Sequence, residues 1–170
     1  MSALSRRSLV ALAWLTVSGL ANAVECPLDR ASYTEERSGA VIQFYPKDTS
    51  TDGITVMGLF DLRLPNIETL YQGEIAWNMG RYARPDGSIA QPCTPEAAAD
   101  WPNACWLWSG PVYAIGNETA SLIEEPDMAA PNILLFAEFG RSLLMNETFG
   151  TANPDLFAFD VFMLNGCPGE

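Results

Sequence analysis

The sequence predicts an all-β domain, mainly antiparallel and closed as a sandwich or barrel, with at most one short helical turn and disulfide staples. Three observations carry that expectation. Two consecutive segments alternate apolar and polar residues with the period of a half-buried strand, turn residues recur at short spacing, and a sustained helical period is missing.

Residues 1–23 are set apart from the domain. Arg6 and Arg7 open the chain, Leu9 to Val17 form an apolar run, and Ala21-Asn22-Ala23 offers small residues at a cleavage site. The run falls short of the roughly 20 residues a bilayer span needs, so a cleaved signal peptide is expected, with the mature chain starting at Val24. Cys26 lies three residues past that cut, which does not suit a lipid anchor. Ser5-Arg6-Arg7-Ser8-Leu9-Val10 also resembles the bacterial twin-arginine signal. Export by the general or the twin-arginine route follows, with a periplasmic or secreted address.

Residues 24–170 then make one domain, without linker, repeat or low-complexity tract. Ala40–Tyr45 reads as its first strand. Ile54, Val56, Gly58, Phe60, Leu62 and Leu64 share one face of the next, opposite Thr55, Asp61 and Arg63. Tyr71, Gly73, Ile75, Trp77 and Met79 repeat the pattern against Gln72, Glu74 and Asn78, and the short Leu64–Glu68 connection makes the two an antiparallel hairpin. Pro85-Asp86-Gly87-Ser88 reads as a turn, because proline presets a corner and glycine accepts positive φ. Thr94-Pro95-Glu96 opens one helical turn ending at Trp101-Pro102. Further strands are expected over 88–91, 106–115, 119–124, 133–139 and 156–164, with Pro111 at an edge or bulge.

Cys26, Cys93, Cys105 and Cys167 are an even set in an exported chain, so disulfides are expected. Of three pairings, Cys93–Cys105 closes a short loop and Cys26–Cys167 ties the chain ends. In the chain-entropy model these contribute about 3 and about 5 kcal/mol. No C-x-x-C pair favours zinc instead.

Charge and missing residues narrow the function. The signal holds two of the nine basic residues and none of the 21 acidic ones, which leaves the mature chain at −14 with Lys47 as its one lysine. Phosphate backbones and anionic lipid heads would be repelled, so neither nucleic acid nor insertion into a membrane after cleavage is expected. Histidine is absent altogether. That removes the residue best suited to proton transfer near neutral pH, and with it the usual hydrolase triads. No cofactor or metal is expected. Asp48-Thr49-Ser50-Thr51-Asp52-Gly53 has the opening rhythm of a calcium loop, but Leu59 stands where the closing acid belongs. Asn117-Glu118-Thr119 and Asn146-Glu147-Thr148 match a glycosylation pattern that matters only in a eukaryotic pathway.

Trp101, Trp106 and Trp108 cluster around the expected Cys93–Cys105 loop, with Trp106 and Trp108 on one face of their strand. If exposed, they form a platform for a sugar ring or a protein partner; if buried, they are core. Asp61, Glu74, Glu138 and Asp160 supply carboxylates in strand-like runs, and Glu138 stands among Phe136, Ala137 and Phe139. A pair of acids with one buried would suit glycosidic cleavage. The leading expectation is a non-enzymatic binding protein of the cell envelope that recognises a cationic protein or a glycan. A carboxylate-pair hydrolase and a structural part of an envelope assembly are the alternatives.

Overall fold

The computed structural model describes residues 26–47, 56–78, 83–91, 105–116, 119–146, 149–150 and 159–168. After a 3-10 turn at Leu28–Arg30 come the strands β1 (Ser32–Thr34), β2 (Val41–Tyr45), β3 (Val56–Arg63), β4 (Leu70–Trp77), β5 (Pro85–Ala90), β6 (Trp106–Gly116), β7 (Thr119–Ser121) and β8 (Ile133–Phe136). Helix α1 (Phe139–Met145) and strand β9 (Val161–Gly166) follow. The strands pair antiparallel in the order β5-β4-β3-β2-β1-β9-β8-β6, and β5 returns to pair with β6. The ring of eight is therefore a closed barrel, with β7 as an extra hairpin arm on β6. Closure removes the sheet edges that an open antiparallel sheet would expose.

The period-two reading holds best in the β3–β4 hairpin. Gly58, Phe60 and Leu62 face inward on β3, and Tyr71, Gly73 and Ile75 do so on β4, paired in register from Gly58 with Ile75 to Arg63 with Leu70. An eight-stranded barrel is just wide enough for side chains to fill it, and here the filling is aromatic. Phe60 meets Phe44 and Phe136 with ring centroids 5.3 and 5.7 Å apart, and Phe136 continues to Trp108 at 5.4 Å and Phe162 at 5.3 Å. Each such ring contributes roughly 1.5–3 kcal/mol by leaving water. Glycine makes room for them: a Cβ on Gly73 would overlap the Phe60 ring, and one on Gly87 would stand 2.7 Å from Trp108.

Five local expectations are corrected. Pro85–Ser88 is no turn but the start of β5, with Pro85 paired to Trp77 and Gly87 facing inward. Glycine serves there for space rather than for positive φ. The expected strand over 133–139 stops at Phe136, because Glu138 takes a left-handed conformation (φ 60°) and turns the chain into α1. Phe139 and Leu143, four residues apart, bury one face of that helix. The strand expected at 119–124 ends at Ser121, and the last one runs 161–166.

The fifth correction concerns β6. Ile89 pairs with Trp108 but Ala90 pairs with Trp106, so two residues of β6 advance against one of β5. This β-bulge reverses the parity. Trp106 faces solvent while Leu107 and Trp108 are both buried, so the two tryptophans do not share a face. Pro111 sits where the β5 ladder ends, opposite Asp86. Its carbonyl accepts the Ala137 N–H at 3.1 Å. A strand residue's N–H and C=O project to the same side, so the N–H that proline lacks would have pointed past the end of β8.

Cys26 and Cys167 form the expected disulfide between the ends of the domain. Cys105 is also disulfide-bonded. Its expected partner Cys93 lies outside the described residues, as do the expected signal segment 1–23, the helical turn expected over 94–100, Trp101 and residues 48–53.

Candidate functional site

The candidate carboxylates do not converge on a buried acid. Asp61 and Glu74 project outward from β3 and β4, half-buried on the sheet. Glu138 belongs to the turn before α1, with its side chain 68% exposed and ion-paired to Arg141 at 3.1 Å. Its neighbours Phe136 and Phe139 are buried in the core and do not pack around its carboxylate. Asp160 is committed elsewhere. Its two oxygens accept the N–H groups of Glu138 (3.1 Å) and Gly140 (2.9 Å), which lack helical partners at the start of α1. The acid is 20 residues from Gly140 in sequence, so no local capping pattern announces it.

The tryptophans part in the same way. Trp108 is a core residue, 3% exposed, and its Nε1–H donates to the Ala137 carbonyl at 3.1 Å. Trp106 is 40% exposed. It borders a hollow of about 240 Å³ on the outside of β2–β6, with Tyr45, Gln72, Glu74, Ser88 and Ala90 around it.

A larger groove of about 740 Å³ lies on the opposite stretch of wall, between β8–β9, α1 and the β1–β2 turn. Leu135, Val161 and Met163 form its floor, with Leu144 and Phe159 at its sides. These are outward positions of a barrel, and yet they are apolar; Val161 is 42% exposed and Leu144 50%. The signal was present in the sequence. Ile133-Leu134-Leu135-Phe136 and Val161-Phe162-Met163-Leu164 are apolar at every position, unlike the alternating strands before them. A run without alternation marks a strand that is covered or contacted on both faces.

Charge rims this groove. Arg37 lies 4.5 Å from the centre of the Phe159 ring, a cation–π contact that holds the ring against the β1–β2 turn. The turn itself is built on Glu35, which is buried and accepts the N–H groups of Arg37 (3.0 Å) and Ser38 (2.7 Å). Burial alone would raise the Glu35 carboxyl. The hydrogen bonds from Ser38 and Arg37, with the nearby guanidinium, outweigh it and hold the group below the usual glutamate range. Glu36 stands exposed on the same rim.

Among the described residues no cluster of acids and thiols is arranged to hold a metal ion, and no helix is long and apolar enough to cross a membrane. No family model, curated protein or solved structure matches the chain. The molecule is thus characterised by its own geometry: a closed, solid-cored antiparallel barrel with an apolar groove on one wall and a polar hollow on another.

Proposed function

We propose that the chain is an exported, non-enzymatic binding protein of the cell envelope, and that it docks a cationic protein in the groove over β8 and β9. One observation carries the reading: the outward side chains Leu135, Val161 and Met163 are apolar where a solvated barrel wall would be polar. Such a floor suits an apolar anchor side chain of a partner. The barrel interior is occupied by the aromatic core, which leaves outer surfaces to do the binding. The net charge of −14 after signal removal favours a basic partner and would speed its encounter at low salt. The exposure of Glu138 and the capping duty of Asp160 weigh against glycosidic hydrolysis, which needs one acid kept protonated by burial.

The test uses mature protein recovered from the envelope. Its intact mass should correspond to a start at Val24 with both cysteine pairs oxidised; retained residues 1–23 would overturn the address. Titration against a cationic cell-wall lytic enzyme should give saturable binding that weakens with salt and is lost in Val161→Arg. Binding unchanged by that substitution would remove the groove from consideration. Hydrolysis of a cell-wall glycan that disappears in Glu138→Gln would replace the whole reading with a carboxylate enzyme.

A further inference from the structure

The hollow beside Trp106 is assembled by strand register. Trp106 pairs with Ala90 and Ala90 with Gln72, which places Gln72 two strands away, about 10 Å at ordinary strand spacing. The adjacent row runs from Ser88 to Glu74, Leu59 and Tyr45. Tyr45 on β2 is four strand steps from β6, about 19 Å along the wall. Ala90, beside the indole, is too small to cover it. From β6 to β2 the wall therefore presents a tryptophan, a hydroxyl on β5, an amide and a carboxylate on β4, a leucine on β3 and a tyrosine.

We propose that this hollow is a second binding site and that it takes a neutral oligosaccharide. A pyranose ring has an apolar C–H face, which stacks on an indole, and a rim of hydroxyls. The Gln72 amide, Glu74 carboxylate and Ser88 hydroxyl together offer donors and acceptors to that rim. The span suits a short chain of sugars better than one ring. Glu74 is the only charged side chain bordering the hollow among the described residues. It opposes uronic acids, phosphates and nucleic acid. A peptide added as a further strand is disfavoured as well, since β4 is paired on both sides and β5 is paired to β4 and β6. The site is separate from the β8–β9 groove and does not depend on it.

Titration calorimetry with cellohexaose and with hexa-N-acetylchitohexaose tests this. At least one of these neutral probes should bind saturably. Trp106→Ala should weaken that binding about tenfold or more, Trp106→Phe should retain part of it, and Gln72→Ala should weaken it while the circular dichroism spectrum stays unchanged. Val161→Arg, which disables the groove, should leave it intact. The proposal is overturned if neither hexaose binds, if Trp106→Ala binds as the parent does, if a hexamer of galacturonic acid binds as tightly, or if Val161→Arg abolishes the sugar signal.

Discussion

Along β3, β4 and β5 the outward positions include Asp61, Arg63, Gln72, Glu74 and Ser88, whereas along β8 and β9 they include Ile133, Leu135, Val161 and Met163. Both walls close over the same aromatic interior. What differs is what stands outside them. The first wall meets solvent directly, and over Gly58–Arg63 and Leu70–Ile75 its burial alternates residue by residue, so the surface is a shallow and largely polar strip. The second is flanked by α1 and the β1–β2 turn, where the chain leaves the sheet, and those departures make a concave groove with an apolar floor. Regular strands thus supply a flat surface, and the breaks in regularity supply depth.

Phe136 binds the two walls together and should show the largest effect. It meets Phe60 from one wall and Phe162 from the other, as well as Trp108 and Phe139. Phe136→Ala should cost about 3–5 kcal/mol in urea unfolding, the range for a buried phenylalanine. Phe44→Ala should cost less, because among the described residues Phe44 makes ring contacts only with Tyr33 and Phe60. Equal losses would mean that the core is one undivided cluster with no hub.

The next comparison concerns space on the polar wall. Gly73 backs directly onto the Phe60 ring, which is fully buried and held by other rings, so Gly73→Ala should destabilise by about 1–3 kcal/mol through overpacking. Gly116, at the end of β6, has open space where a Cβ would go. Gly116→Ala should be neutral or stabilise by a few tenths of a kcal/mol, about the size of a backbone-entropy effect. Chemical unfolding of the two variants side by side decides it. A tolerant Gly73 would show that the Phe60 ring can shift.

Asp160 sharpens the contrast between the walls. Asp160→Ala removes acceptors from two N–H groups at the start of α1 and should cost about 1 kcal/mol, the usual value of a lost cap. Because α1 flanks the groove alone, cationic-protein binding should weaken while oligosaccharide binding stays unchanged. Loss of both together would show that the walls are coupled through the core.

How much of this could be read from the sequence follows the same division. The β3–β4 wall was legible because solvent on one side and core on the other imprint a period of two on the residues. The β6 register was not, since a bulge leaves no mark in composition and reverses the faces of Trp106 and Trp108. Proline and glycine at 85 and 87 misled because their turn chemistry and their strand-start and space-making roles use the same letters. Helix α1 is seven residues long, too short to establish a period, and its cap comes from a distant acid. The groove floor was legible in principle, as unbroken apolar runs at 133–136 and 161–164, but those runs also suit a strand covered on both sides.

The effect that depends on pH belongs to Glu35, which shapes the turn that carries Arg37 over Phe159. Its folded-state pKa lies below its unfolded value, so the stability it contributes is complete at neutral pH and is lost as pH falls through the folded pKa. Glu35→Gln keeps the shape and gives up the charge on the acceptor of the Arg37 and Ser38 N–H groups. It should destabilise by roughly 0.5–1.5 kcal/mol at neutral pH. As the pH falls through the folded pKa the parent carboxyl becomes neutral too, and the difference in urea midpoint between the two proteins should shrink toward zero. Groove binding should follow the same course, since a loosened turn releases Arg37 from the Phe159 ring. A difference between parent and variant that stays constant across that range would mean that the turn is held by packing alone and that the carboxylate has no part in shaping the groove.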